Sequence, residues 1–291
     1  MSSPLHLPDG STAADGFRVA ITPESAGWAY SSLRVLELAP GETRRFETGD
    51  AETIVLPLAG SCVVTVDGTS YELAGREHVF ARVTDFVYAP REARVSVTSE
   101  RGGRFALPAA RCDRRLAPAY VPAADVAVEV RGAGAASRQV NNFAAPDGFG
   151  CDRLVAVEVL TPGGNWSSYP PHKHDEARPG EAVLEEIYYF ELGSSGGPGR
   201  PFGYQRVYDG REVDVLAEVR QGDVVLVPRG YHGPSMAPPG YPMYYLNVLA
   251  GPHSQRTMAC CDDPEHHWVR QSWESVERDP RVPMCDAEGP R

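Results

Sequence analysis

Short apolar stretches separated by turn residues run through most of this chain, in the manner of half-buried β-strands. In the first half they lie at residues 31–39, 53–58, 62–66, 85–90 and 93–98. The dipeptide Asp67-Gly68 between two such stretches is typical of a tight β-hairpin turn. The 29 glycines and 26 prolines are scattered, which suits many short strands joined by turns. The pattern therefore predicts an all-β fold.

The second half of the chain repeats the order of these stretches. The corresponding segments are 33–39 with 154–161, 53–58 with 186–190, 62–66 with 203–208, and 85–90 (DFVYAP) with 223–228 (DVVLVP). This duplication predicts two similar β-barrel domains, residues 1–130 and 131–291. A helical segment is predicted around residues 265–277, with Trp268 and Trp273 available for packing.

The candidate chemistry is concentrated in residues 169–190, which read YPPHKHDEARPGEAVLEEIYYF. Because alternate side chains of a strand point to the same face, His172 and His174 are expected to lie side by side. Adjacent imidazoles suit a divalent metal. Residues 222–232, GDVVLVPRGYH, predict a strand and a turn that end at His232. We therefore predict that the three histidines and a carboxylate bind one metal ion inside the second barrel.

Two adjacent carboxylates, Glu185 and Glu186, begin the next strand. On a regular strand only one of them can point inward, and we choose Glu186, which shares its face with Tyr188 and Phe190. Glu185 is then a carboxylate at the rim, in solvent or behind the ligands. Three neutral imidazoles and one carboxylate suit zinc, manganese, iron or nickel and leave coordination positions open for a substrate.

The first half has no such ligand set. Its corresponding positions are residues 47–50 (ETGD), and the residues after Pro90 are Arg-Glu-Ala with no histidine. We therefore expect the first barrel to have a structural role, in packing against the second domain or in an oligomer.

Further polar residues are candidates for contacts to a substrate. Arg206 lies on the strand at 203–208, and its planar guanidinium suits a carboxylate. Lys173 is expected to point away from its histidine neighbours, toward the rim. Tyr245 and Asn247 share one face of the last predicted strand. A packing or surface role is the alternative for each of these residues.

Composition and charge exclude some classes of partner. The formal net charge of −11 argues against binding to nucleic acid or to an anionic membrane surface. The sequence has no apolar run of membrane-spanning length and no secretory signal at its start, so a cytoplasmic location is expected. None of the six cysteines forms a CxxC motif, and free thiols are therefore expected.

The segment HKH at 172–174, a glutamate on the following strand and PRGYH at 228–232 resemble the two metal-binding motifs of the cupin superfamily. The stretches LEEIYYF, FGYQRVY, GDVVLVPRGYHG and APPGYPMYYLNVLAGP, with a late W-x-R-x-S-W, resemble the 5-deoxy-glucuronate isomerase family of myo-inositol breakdown. The related 4-deoxy-hexulose-uronate isomerases share the ligand set. The resemblance covers essentially the whole chain and implies a bicupin that binds metal through His172, His174, Glu186 and His232.

The resemblance also implies a reaction, an aldose–ketose conversion of 5-deoxy-glucuronate to 5-dehydro-2-deoxy-gluconate. A metal that chelates the C1 carbonyl and the C2 hydroxyl would acidify the C2 proton, and a base would pass that proton to C1 through an enediol. Glu185, a tyrosine such as Tyr245 and a metal-bound hydroxide are the open choices for the base. Arg206, Lys173 and Asn247 are the expected substrate contacts.

Zinc is the first choice of metal, and a homo-oligomer is expected because cupins often associate through sheet edges. Three alternatives remain open: a cupin dioxygenase with Fe(II) at the same ligands, an isomerase of another uronate, and a non-enzymatic sugar-binding bicupin. Oxygen consumption with a candidate substrate would distinguish the first of these from an isomerase.

Overall fold

The computed structural model describes residues 3–194, 196–253 and 255–291 of the chain, and these form mostly β-strands. The strands of the first half are β1 (His6–Leu7), β2 (Val19–Ile21), β3 (Ser31–Leu38), β4 (Glu42–Glu47), β5 (Ala51–Val66), β6 (Thr69–Arg76), β7 (Phe86–Ala89), β8 (Arg94–Ser99), β9 (Gly103–Arg111) and β10 (Ala119–Val121). A short helix, α1 (Pro23–Ala26), and a 3₁₀ turn (Ala123–Asp125) complete this half.

Within the described ranges, the second half continues with fourteen strands and ends in a short helical segment. The strands are β11 (Val128–Arg131), β12 (Arg138–Ala144), β13 (Val155–Thr161), β14 (Trp166–Ser167), β15 (His172–Lys173), β16 (Asp175–Arg178), β17 (Glu181–Val183), β18 (Glu185–Leu192), β19 (Gly203–Tyr208), β20 (Asp214–Val219), β21 (Val224–Val227), β22 (Tyr231–Met236), β23 (Met243–Ala250) and β24 (Cys261–Asp262). The helix α2 (Trp268–Ser272) and a 3₁₀ turn (Trp273–Ser275) lie where the helical segment is predicted.

The first barrel is organised around β5, which spans 16 residues and belongs to two sheets. Its first part pairs with β7 and β9, and its second part pairs with β6 and β8. The side chains that fill the barrel are apolar and include Leu36, Val64, Val97 and Phe105. The interior of the first barrel is thus filled with hydrocarbon, and the structural role expected for this domain stays a prediction.

The second barrel consists of two sheets that face each other. One sheet has the order β1-β21-β18-β23-β13-β12-β11, and the other has the order β20-β19-β22-β15-β24, with β14 beside β22. Along β18 the side chains alternate between two environments. Tyr188 and Phe190 point into the barrel, whereas Ile187 and Tyr189 pack on the first domain. The alternation therefore places Glu186 on the barrel side of β18 and Glu185 on the other side.

The two domains share one hydrophobic core, which packs residues such as Leu56 and Tyr88 against Ile187 and Leu246. The buried ion pair between Arg76 and Glu158 also crosses the junction. Both ends of the chain cross to the other domain: β1 pairs with β21 of the second barrel, and the carbonyl of Asp286 accepts a hydrogen bond from the N–H of Val83 at 2.9 Å. The predicted boundary between residues 130 and 131 lies within β11, a strand that pairs with β12 of the second barrel.

The cysteines and the helices of the described residues bear on two further expectations. All six cysteines are free thiols. None of the helices in the described ranges has the length and apolar character that crossing a membrane requires.

Candidate metal centre

The three predicted histidine ligands and Glu186 meet inside the second barrel. His172 on β15 lies opposite His232 on β22, and Glu186 on β18 approaches them from the other sheet. The Nε2 atoms of His174 and His232 each lie 2.9 Å from the same oxygen, Oε2 of Glu186. Donor atoms of these three buried residues lie within 4.8 Å of one another. The His172 ring is also adjacent, with its centroid 4.4 Å from that of His232.

The backbone around the histidines determines which ring nitrogen faces the centre. Each Nδ1 atom lies beside a carbonyl oxygen: Pro170 O at 3.3 Å for His172, Leu184 O at 3.0 Å for His174, and Gly230 O at 3.3 Å for His232. A carbonyl oxygen only accepts hydrogen bonds, so the neutral rings carry their proton on Nδ1. The lone pairs on Nε2 are then free for a metal.

This arrangement fits a bound cation. The Nε2 atom of His174 lies 2.9 Å from an ionised carboxylate oxygen of Glu186, a contact that either a proton on Nε2 or a bound metal ion stabilises. The Nε2 atom of His232 is buried, and its 2.9 Å contact with Oε2 of Glu186 lacks hydrogen-bond geometry, so it has no hydrogen-bond partner among the described residues. His174, Glu186 and His232 could therefore hold a metal ion, and the His172 ring lies beside this group.

The electrostatics favour a neutral His172 and an ionised Glu186, which a metal needs, and a proton on His174, which a metal would displace. Burial, together with the charge of His232, lowers the pKa of His172 to about 3, so this ring is neutral at pH 7. Burial alone would raise the pKa of Glu186, but His232 and His174 hold it well below its usual range. Burial likewise opposes the charged form of His174, yet its hydrogen bond with Glu186 raises the pKa of this ring overall.

Neighbouring polar groups support the centre from the barrel wall. The side-chain Nδ2 of Asn247 donates to Oε1 of Glu186 at 2.6 Å, which leaves Oε2 directed toward the histidines. The hydroxyl of Ser168 lies 3.0 Å from that of Tyr188 and 3.1 Å from that of Tyr245. Burial raises the pKa of both tyrosines, so their phenols stay protonated at neutral pH.

A cavity of about 610 Å³ opens in front of these groups. Its lining includes His172, His174, Glu186, Tyr245 and Asn247. Four arginines also line it, namely Arg131, Arg138, Arg270 and Arg278. A space of this size that contains ligand groups and fixed positive charges suits a small anionic molecule.

The structure places Arg206 and Lys173 outside this cavity lining. Arg206 alternates with the inward-facing Val207 on β19, so its guanidinium lies on the outer face, paired with Asp214. Lys173 points away from the histidines, as expected, and its ammonium donates to Glu181 at 2.8 Å and to Asp175 at 2.5 Å. Both cations are therefore engaged by carboxylates away from the ligands.

Glu185 lies on the opposite face of β18 from the candidate centre and contacts the first domain. Its carboxylate accepts hydrogen bonds from the backbone N–H groups of residues 29, 30 and 31 at 2.6, 2.8 and 2.8 Å. Glu52, at the corresponding position of the first half, accepts from residues 152, 153 and 154 at 2.8, 2.7 and 2.7 Å. Each of these two equivalent carboxylates thus accepts hydrogen bonds from the backbone of the other domain and helps to hold the domains together.

Sequence reasoning missed several residues of the cavity, above all Arg138, Ser168 and Arg270. Arg138 and Val140 share one face of β12 and both line the cavity, whereas Gln139 between them bonds to the C-terminal tail. This alternation was the available signal. The segment does not stand out in the sequence because it contains few apolar residues before Phe143.

Comparisons with known proteins agree with this architecture. A family model described as the KduI/IolB family matches residues 6–269. A 5-deoxy-glucuronate isomerase of Geobacillus kaustophilus is 43% identical over 274 residues, which are 93% of this chain and 96% of that protein. The crystal structure of an IolB-like protein from Salmonella typhimurium superposes with a TM-score of 0.84 at 33% identity, covering 92% of this chain and 100% of that one.

More distant structures resemble the fold alone. Oxalate decarboxylase of Bacillus subtilis superposes with a TM-score of 0.61 at 12% identity, covering 90% of this chain and 80% of that one. Together with the two barrels described above, this similarity confirms the prediction of an all-β bicupin with a short C-terminal helical segment.

Proposed function

Because this chain belongs to the KduI/IolB family, we propose that it is a 5-deoxy-glucuronate isomerase of myo-inositol breakdown. It converts 5-deoxy-glucuronate, an aldose, to the ketose 5-dehydro-2-deoxy-gluconate. The observation that carries the proposal is the similarity to proteins of that name over more than nine-tenths of the chain. The buried cluster of His174, Glu186 and His232 supports the proposal, because it offers such a reaction a candidate metal site beside a cavity for the substrate.

The metal is proposed to be held by His172, His174, Glu186 and His232, with Asn247 orienting the carboxylate. When bound there, a divalent ion supplies Lewis acidity that polarises a carbonyl and acidifies the adjacent C–H. The carbonyl groups behind the three histidines keep the imidazole Nε2 atoms directed at the centre. Zinc is the first ion to test, and manganese, iron and nickel are the alternatives for this donor set.

Tyr245 is the proposed proton-handling residue of the chain. Its phenol lines the cavity, and its raised pKa keeps it protonated, so it can donate a hydrogen bond to a sugar oxygen as charge develops there. Ser168 connects it to Tyr188, which gives a row of hydroxyls along which a proton can shift. The hydrogen bonds that Glu185 accepts from the first domain argue against it as the base.

A turnover assay tests the function directly. Metal-loaded protein is incubated with 5-deoxy-glucuronate in deuterium oxide, and the ketose is followed by NMR. We expect conversion that is lost with a chelator and restored by a divalent metal, with deuterium at C1 because an enediol exchanges its proton with solvent. If metal-replete protein produced no ketose, the proposal would be refuted, and uptake of oxygen would instead favour a dioxygenase.

The remaining expectations belong to this proposal and have separate tests. A homo-oligomer is proposed, and light scattering coupled to size-exclusion chromatography would measure its mass. A cytoplasmic location is also proposed, and fractionation of the source cells would test it.

A further inference from the structure

One cation of the cavity lining stands apart from the others. Arg138 is only 8% exposed, and no carboxylate of the described residues lies within ion-pair distance of its guanidinium. Its one hydrogen-bond acceptor in the described ranges is the carbonyl of Ala136, at 3.1 Å. A buried guanidinium without a counter-ion is costly, because burial removes hydration that one carbonyl contact replaces only in part.

The other arginines of the cavity already have partners or lie exposed. Arg131 is paired with Glu129 at 2.9 Å, and Arg270 makes a bidentate contact with Asp262 at 2.5 and 2.6 Å. Arg278 is an exposed residue. Arg138 is therefore the lining cation whose charge is both desolvated and available to an incoming anion.

The fold presents Arg138 to the same space as the metal ligands. Glu186 lies on β18, and the strand order β18-β23-β13-β12 places Arg138 three strands away in the same sheet, beside the other end of β13. Tyr245 on β23 and Val157 on β13 line the cavity between them. Both the Arg138 and the Glu186 side chains therefore line one cavity, in which a sugar acid can contact the two groups at its two ends.

The C-terminal helical segment holds the guanidinium in place. The Arg138 guanidinium lies 5.7 Å from the centroid of the Trp273 ring, and Arg270 lies 5.4 Å from the same ring. Trp273 thus contacts both Arg270, which is paired with Asp262, and Arg138, which has no carboxylate partner among the described residues. Burial lowers the pKa of Arg138 to about 10, which still leaves it charged at neutral pH.

We propose that Arg138 binds the carboxylate of the uronate substrate while the other end of the sugar lies at the metal ligands. The inference rests on the proposed function and names the group that selects a sugar acid over a neutral sugar. A planar guanidinium can bind a carboxylate through two parallel hydrogen bonds, which fixes the orientation of the chain as well as its charge. In this role Arg138 replaces Arg206, which the structure pairs with Asp214.

The test compares two substrates that differ only in the group at C6. Metal-loaded wild-type protein, Arg138→Lys, Arg138→Met and Arg206→Met are assayed with 5-deoxy-glucuronate and with 5-deoxy-glucose, in which CH₂OH replaces the carboxylate. For Arg138→Met we expect kcat/KM for the uronate to fall by at least about 30-fold, while kcat/KM for the neutral sugar changes little. Arg138→Lys should recover part of the preference for the uronate over the neutral sugar, and Arg206→Met should retain that preference in full.

Controls separate this role from a loss of structure. Metal content and the thermal midpoint are measured for each variant, and Arg101→Met, at an exposed position of the first domain, is the matched control for the change itself. If Arg138→Met lowered kcat/KM equally for both substrates, or for neither, the proposal would be overturned. The isomerase function would still stand. Loss of the preference in Arg206→Met alone would also overturn it.

The failure of the proposed function would be visible separately. If wild-type protein did not turn over the uronate, calorimetry with glucuronate and glucose would still test the anion site. Tighter binding of glucuronate that disappears in Arg138→Met would support the site, and equal binding of glucuronate to both proteins would overturn it.

Discussion

Adjacent glutamates on β18 offer the sharpest test of the site, because one carboxylate faces the candidate metal centre and the other faces the first domain. We expect Glu185→Gln to destabilise the protein while it retains metal and turnover. The Glu185 carboxylate accepts three backbone N–H bonds. A hydrogen bond to a charged acceptor contributes about 1 kcal/mol more than a neutral one, so the substitution should cost about 3 kcal/mol.

For a chain of this size, that loss lowers the thermal midpoint by about 6 °C. Circular dichroism would measure the midpoint, and metal analysis and NMR turnover would be run on the same samples. Glu186→Gln is the matched variant one residue away, and it should lose metal and activity because the charge that binds the ion is gone. A Glu185→Gln protein with a wild-type midpoint, bound metal and no turnover would refute this assignment of the two faces.

Three further expectations concern the support of the centre and the domain junction. Asn247→Ala removes the donor to Glu186, so metal affinity should fall about 10–100-fold in competition with a chelator, and an unchanged affinity would contradict this role. Burial alone would raise the pKa of Glu181, but hydrogen bonds from neighbouring donors lower this pKa to about 2. The ionised carboxylate therefore stabilises the fold at pH values above 4.5, the usual pKa of a glutamate. This contribution is lost as the pH falls from 4.5 toward 2. The urea midpoint of Glu181→Gln should therefore be lower than that of wild type at neutral pH and converge with it in acid, whereas parallel curves would count against the argument. Arg76→Met leaves Glu158 buried without its cation and should lower the free energy of unfolding in urea by about 3–5 kcal/mol. The double variant Arg76→Met/Glu158→Gln should recover part of this loss. Equal stability of the two variants would contradict the pairing.

Much of the candidate centre follows from local geometry, which a sequence contains. Extended backbone alternates its side chains with a period of two, so the spacing of His172 and His174 predicts that both point to the same side. The same rule separates Glu185 from Glu186. The duplicated order of strands likewise predicts two barrels, since each repeat has to bury an equivalent apolar face.

Contacts between distant segments required the tertiary structure. Alternation along β19 separates Arg206 from Val207, but it does not say which of the two faces the barrel. The cavity role of Arg138 depends on β12 lying beside β13 in the metal-binding sheet and on Trp273 folding back over it. The partners of Glu185 lie more than 150 positions away in the chain.

The sequence by itself therefore determined the fold class, the two-barrel organisation and the side chains able to bind a metal, because these depend on periodicity and residue chemistry. Only the tertiary structure decided which cations reach the cavity and which carboxylate joins the domains. Those outcomes depend on how the sheets pack and on which charges are buried together. The sequence pattern of a single strand does not determine either of these.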